Sequence, residues 1–260
     1  MKVICFTNQK GGVGKTATTL TCGLELAKRG YKVLLIDLDA QASLSQLLGV
    51  QAEKNQKTVA DFIGARNEKA TLEETVVKLN QVDMIPANIL LSVAEQTMPA
   101  LDNNANLLSR ALREVRNAGI YDYVLIDCPP SLGILMKNAL MASDTIVVPV
   151  KPEKVSIMGL ELLLGTIVRL SESYGKEFDI SGFLLTMCNA RTNSFKTIKA
   201  DIEQFAEQIG TRVFKSTIRQ SVRCSNVIGE GGNIIDDGSG VSGDYKAFVD
   251  ELISIVGGNV

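Results

Sequence analysis

The chain has no histidine and no tryptophan in 260 residues. Without an imidazole there is no Ser-His-Asp or Cys-His pair, and the commonest ligand of transition metals is missing. Catalysis in such a chain must run on lysine, carboxylates, backbone amides and a hard metal ion. Cysteine is sparse as well: Cys5, Cys22, Cys128, Cys188 and Cys224 are widely separated, with no C-x-x-C pair. An odd count at that spacing argues against a disulfide framework and against a zinc site. Cys5, Cys22 and Cys188 sit among apolar neighbours, as small buried thiols do. No apolar run approaches the roughly 18 residues of a membrane-spanning helix. The opening "MKVICFTN" leads directly into a strand-like run, without the charged and apolar regions of a secretory signal. Together these absences read as a cytoplasmic protein.

What is present is an ordinary globular composition, 45% hydrophobic and 22% charged. Apolar strand-like runs alternate with helix-like segments, the pattern of an α/β fold with a mostly parallel, twisted sheet covered by helices on both faces. Strands are expected at Val3–Thr7, Lys32–Asp37, Val82–Ile85, Tyr123–Pro130, Asp144–Val150 and Ile180–Met187. Helices are expected at about Lys15–Arg29, Leu101–Asn117, Ser156–Ser173, Phe195–Gln208 and Asp244–Ile255. With no repeat, no low-complexity tract and no flexible linker, residues 1–260 read as one domain.

Between the first strand and the first helix lies "QKGGVGKT", residues 9–16. It matches the phosphate loop G-x-x-x-x-G-K-[ST] except that Gln9 stands where the first glycine belongs. Glycines at 11, 12 and 14 let successive N–H groups point into one concavity, and the helix that follows adds its positive end. Residues Lys10 to Ala17 are thus candidate nucleotide contacts: Lys10, Gly11, Gly12, Val13, Gly14, Lys15, Thr16 and Ala17. Lys15 would reach the β- and γ-phosphates, and the Thr16 hydroxyl would ligate Mg²⁺. Lys10 is a second lysine that a phosphate loop does not ordinarily need.

Acids fall at the carboxyl ends of two expected strands, where parallel sheets place their functional groups. Asp127 ends "YVLID" and Asp37 ends "VLLID"; both are candidate groups on the Mg²⁺ side with Thr16. Asp39 follows in the turn and is the carboxylate better placed to position an attacking water, in a chain without histidine. Either acid of that turn could instead cap the short helix expected in "AQASLSQLL".

Net charge is −2, but from residue 186 to 225 seven Lys/Arg face only three Asp/Glu, leaving twenty against twenty-six elsewhere. The segment's Arg191, Lys196, Lys199, Arg219 and Arg223 are candidate contacts to a polyanion, although a solvated basic face has the same composition.

"KGGVGKT" with Lys10, "LLIDLDAQAS" and "YDYVLIDCPPSLG" resemble, in order and spacing, the deviant-Walker-A ATPases of the ParA/Soj partition branch. "LLTMCNARTNSF" resembles that branch's adenine-side segment, and "VFKSTIRQSVRCS" its I-P-R-N-V-R-L-S stretch. The resemblance implies a P-loop ATPase that takes ATP and Mg²⁺. In such an ATPase Lys10 crosses a homodimer interface to the partner's phosphates, beside Lys15 and Asp39 as catalytic groups. It further implies nonspecific DNA binding, a ParB-like activator, no membrane partner, and a place on the nucleoid. Asn189 falls in the base-recognition region, where its amide could read adenine or simply form a turn. The chain departs from the family at Ala40 (a proline there), at Ala17 (a second threonine), and at Arg219-Gln220, where the motif has Pro-Arg. Two relatives of other classes are weighed. A MinD-like membrane cycler needs a basic amphipathic helix, but "YKAFVDELISIVGGNV" has one lysine, and with Asp244 three acids. An iron protein needs two cluster cysteines per subunit; Cys128 follows the strand-end acid, but its "DCPP" is common in the partition branch.

Overall fold

The computed structural model describes residues 1–52, 56–65, 69–190, 192–221 and 240–257. Arg191, Arg223 and Cys224 lie outside the described residues. The described elements are, in chain order, β1 (Lys2–Phe6), α1 (Lys15–Lys28), β2 (Val33–Asp37), α2 (Ser43–Leu47), α3 (Val59–Phe62), α4 (Leu72–Thr75), β3 (Val77–Lys78), β4 (Asp83–Ile85), α5 (Leu90–Thr97), α6 (Leu107–Ala118), β5 (Tyr123–Asp127), α7 (Ile134–Ala142), β6 (Thr145–Val150), α8 (Ser156–Tyr174), β7 (Ile180–Cys188), α9 (Asn193–Gln208), β8 (Val213–Arg219) and α10 (Gly240–Val256).

The strands form one sheet in the order β3-β4-β2-β5-β1-β6-β7-β8. Every neighbouring pair is parallel except β3 with β4. Strand alternation divides the core. Val3, Cys5, Leu34, Ile36, Val124 and Ile126 face the layer of α5 to α9. Ile4, Phe6, Val33, Leu35, Tyr123 and Leu125 face the layer of α1 and α10. Both faces being covered is why β1, β2 and β5 are continuous apolar runs. The expected fold class is what the molecule has.

One expected helix is cut short. Residues 101–106 are not α-helical: a 3₁₀ turn at Asn104–Asn106 precedes α6, and Asn103 is left-handed at φ 52. Asx residues favour such turns, and Asn138 of α7 holds the result, donating to Asn104 O at 2.7 Å and accepting from Leu108 N at 3.1 Å.

Candidate active site

The loop from Thr7 to Gly14 leaves β1 at the sheet's carboxyl edge. Asn8 anchors it, donating Nδ2 to Pro149 O at 2.7 Å and accepting from Lys10 N at 3.0 Å. Gly12 and Gly14 have φ 68 and 82, a region that a β-carbon disfavours. Gly14 is also the N-cap of α1, and its carbonyl receives the first helical bond, from Thr18 N at 2.9 Å. From β7, the Thr186 hydroxyl donates to Val13 O at 2.8 Å and fastens the loop to a strand two places along the sheet from β1.

Lys15 opens α1 and is 7% exposed. Its ammonium donates to Lys10 O at 3.3 Å. Burial pulls its pKa below the ordinary lysine value, while Asp127, Cys128 and Asp39 oppose that shift. Opposite it, Asp127 ends β5 and is 1% exposed, and neither of its carboxylate oxygens has a hydrogen-bond partner of ordinary geometry. Burial above all, then the Asp37 charge, push Asp127 well above the usual carboxylate range; the nearby Thr16 hydroxyl and Lys15 pull the other way. A buried cation without an anion and a buried carboxylate without a donor are each costly. Together they fit a bound phosphate chain with a hard cation between Thr16 and Asp127.

Asp37 lies beside Asp127, since the two are paired in the register of β2 and β5. Its oxygens are already engaged: Oδ2 accepts from Ser45 N at 2.9 Å and Ser45 Oγ at 2.8 Å, and Oδ1 from Asp39 N at 3.2 Å. Burial still raises its pKa to about 6. Asp37 therefore pins the first turn of α2 to the sheet, so of the two acids it is the one that serves this helix's free N–H groups. Asp39 is half-buried in the following turn, and its Oδ1 accepts from Gln41 N at 2.9 Å. The short helix begins only at Ser43, so Asp39 turns the chain rather than capping α2. Its charge reaches Lys15, Asp127 and Glu95, a residue of α5 absent from the expected site. Glu95 sits against the Pro130–Gly133 turn: a Cβ on Gly133 would lie 2.5 Å from its Oε1.

Lys10 pairs with Glu153, which also holds Lys151 at 2.6 Å. The Lys10 contact, then the Lys151 contact, lower the Glu153 pKa to about 2. Glu153 lies 143 residues from Lys10 in sequence and was not anticipated.

The expected DNA residues are scattered in their engagement. Lys196 is exposed on α9, and Lys199 is 3.5 Å from Glu203 one turn on. Arg219 is bound to Asp244 of α10. Asn189 directly follows β7, and Ala17 lies in the first turn of α1. No group of three or more His, Cys, Asp or Glu among the described residues is arranged to hold a metal by itself. Cys5, Cys22, Cys128 and Cys188 are free and buried.

A family model for an AAA domain matches residues 1–180. The sporulation initiation inhibitor protein Soj of Bacillus subtilis is 38% identical over 235 residues, 90% of each chain. The chromosome partitioning protein ParA of Caulobacter vibrioides is 36% identical, covering 86% of this chain and 83% of its own. The chain belongs to the ParA/Soj family of P-loop ATPases. Among solved structures, cobyrinic acid a,c-diamide synthase from Mycobacterium smegmatis with a bound ATP analogue and magnesium superposes with a TM-score of 0.83 at 28% identity. That match covers 100% of this chain and 97% of the other. As a ParA/Soj ATPase, this protein has the loop, the buried lysine and the orphaned strand-end carboxylate that Mg²⁺–ATP requires.

Proposed function

We propose that residues 1–260 form one ATPase domain that partitions or positions DNA or another large cargo, switching between nucleotide states. The observation that carries this is the buried Lys15–Asp127 pair, each lacking its ordinary counterpart, at the mouth of the glycine loop. Lys15 and the loop amides of residues 11–16 would hold the β- and γ-phosphates. Thr16 and Asp127, with Asp37 behind them, would hold Mg²⁺. The chemistry that Mg²⁺ supplies when bound is neutralisation of charge between the β- and γ-phosphates. Asp39 accepts a hydrogen bond from the attacking water, whose oxygen bonds to the γ-phosphorus as the bond to ADP breaks.

ATP would be sandwiched in a homodimer, with Lys10 leaving Glu153 for the partner's phosphates. The supporting argument is electrostatic. Lys10 sits within the loop, so its ammonium needs only a change of partner to meet an anion docked across a two-fold face. That dimer would bind duplex DNA without sequence preference through Lys196, Lys199 and the basic residues Arg191 and Arg223. Such contacts are to phosphates and weaken steeply with salt. A ParB-like partner would accelerate hydrolysis and release the dimer, and the protein would reside on the nucleoid.

Sedimentation and gel shifts with ADP, ATP and a slowly hydrolysed analogue test the switch. The ATP form should dimerise and bind arbitrary duplex DNA; equal DNA affinity in all nucleotide states would sink the mechanism. Asp39→Ala should accumulate the ATP dimer, whereas loss of nucleotide binding would refute its role with water. The MinD-like alternative is disfavoured by α10, whose apolar face (Val241, Tyr245, Phe248, Leu252) is spent on the core. No described helix is long and apolar enough to cross a membrane.

A further inference from the structure

Arg219 stands where the resembled motif has a proline, and the structure gives it a setting apart from the other basic residues of its segment. It ends β8, and its partner is Asp244, five residues into α10. Asp244 Oδ2 accepts from Arg219 N at 3.0 Å and from Nε at 2.7 Å, while Oδ1 accepts from Nη2 at 2.7 Å. This is a two-pronged pair with a backbone bond added, the geometry that holds a guanidinium in one plane. The carboxylate side chain is 13% exposed, whereas the arginine is 60% exposed. Gly240, the first residue of α10, lies under the guanidinium: an added Cβ would stand 2.5 Å from Nη1. Asp244 thus fixes the fork, Gly240 leaves room for it, and the arginine keeps an open face.

That open face lines a cavity of about 620 Å³, together with Cys188, Asn189, Ala190, Thr217 and Gln220. The cavity is joined to the phosphate loop through β7. Thr186 fastens Val13, the Met187 methyl lies 3.9 Å from where a Gly14 Cβ would be, and Cys188 and Asn189 follow on the cavity wall. Tyr245, next to Asp244, meets Thr18 of α1 at 3.2 Å. A cavity of this volume, one strand end away from residues 11–16, suits the nucleoside of a nucleotide whose phosphates rest on that loop.

We infer that Arg219, clamped flat by Asp244, is a wall of the nucleoside pocket that stacks on the base, rather than a contact to DNA. Asp244 is the positioning residue that holds the plane. The inference rests on the reading of the loop as an ATP site. A planar, weakly hydrated guanidinium stacks on aromatic rings, which an ammonium cannot do. Its charge is already matched by Asp244, so little of it is left for a DNA phosphate.

The test compares wild type with Arg219→Ala, Arg219→Lys and Asp244→Asn, measuring ATP and ADP affinity by displacement of a fluorescent nucleotide. Tripolyphosphate, which carries the phosphates and no base, is measured alongside, and thermal melting checks that each variant is folded. Expected is a loss of about tenfold for ATP and for ADP in all three variants, with tripolyphosphate unchanged. Arg219→Lys should do no better than Arg219→Ala, because charge alone does not restore the plane. Unchanged ATP affinity, with weaker DNA binding and a shallower salt slope at saturating nucleotide, would overturn the proposal and return Arg219 to DNA. An equal loss for tripolyphosphate and ATP would overturn it too, showing that the clasp supports the loop instead of the base. If wild type bound neither ATP nor tripolyphosphate, the ATP reading itself would fall, a result distinct from both.

Discussion

Lys10 poses the residue-scale question, because the same ammonium is asked to serve two anions. Among the described residues it belongs to Glu153, which Lys151 also engages. An exposed ion pair of this kind is worth at most about 1 kcal/mol, so Glu153 can hold the lysine without locking it. Glu153→Gln should release Lys10 and move the ATP-driven dimerisation midpoint to lower protein concentration, by about two- to fivefold per pair. Lys10→Gln should abolish dimerisation while leaving nucleotide binding largely intact, and Lys15→Gln should abolish nucleotide binding itself. Sedimentation with a slowly hydrolysed analogue, paired with a nucleotide-binding assay, separates the three. A Glu153→Gln protein that dimerises less readily than wild type would show that Glu153 helps build the interface rather than restraining the lysine. Glycines, lysines and strand-end acids were legible because residue type and position together state their chemistry. Glu153, Glu95 and the Arg219–Asp244 clasp were not, since each depends on a partner that only tertiary folding brings close.

At the scale of elements, legibility followed burial. β1, β2, β5 and β6 are apolar apart from one terminal residue each (Lys2, Asp37, Asp127 and Thr145) and are buried on both faces, so their runs stand out in the sequence. β8 is an edge strand whose Lys215, Ser216, Thr217 and Arg219 are exposed or half-buried, and it carries no such signal. β3 is two residues long and gains its identity only by pairing with β4. The helix α7 carries a buried Asn138 at its centre, and the bonds to Asn104 O and from Leu108 N that make it tolerable there are tertiary and leave no mark in the sequence. The packing of α1 on β2 gives a sharp test. A Cβ on Gly23 would lie 2.6 Å from Leu35 Cδ2, and Leu35 is fully buried. Gly23→Ala gains up to about 1 kcal/mol of helix propensity but overpacks a rigid core, typically costing about 1–3 kcal/mol. A net loss is expected, lowering the melting temperature by roughly 2–4 °C per kcal/mol. Adding Leu35→Val to that variant should recover part of it, since the two residues share one contact. Additive losses would mean the helix had shifted away instead.

For the whole molecule, the site is built at the expense of the fold that carries it. Asp37 and Asp127 are adjacent in register and buried, and burial raises both pKa values, that of Asp37 to about 6. A carboxyl group whose folded pKa exceeds its unfolded value near 3.8 stabilises the fold when protonated. That contribution is complete below the unfolded pKa and is lost as pH rises through about 6 and beyond. The nucleotide-free protein should therefore become more stable as pH falls from about 7 toward 5, opposite to a protein whose buried carboxylates are salt-bridged. A rise in melting temperature of roughly 5 °C is the order expected from a group shifted this far. Asp37→Asn should raise stability at neutral pH and flatten the profile, although its amide keeps only one acceptor oxygen and so gives up the bonds from either Ser45 or Asp39 N. Mg²⁺–ATP should flatten it as well, because a bound cation favours the charged carboxylates that burial penalises. Melting curves across that pH range, with and without Mg²⁺ and a slowly hydrolysed analogue, decide the matter. If stability falls on acidification in the nucleotide-free protein, the two acids are not an electrostatic cost of folding. If the slope survives Mg²⁺ and nucleotide, Asp127 does not meet the cation.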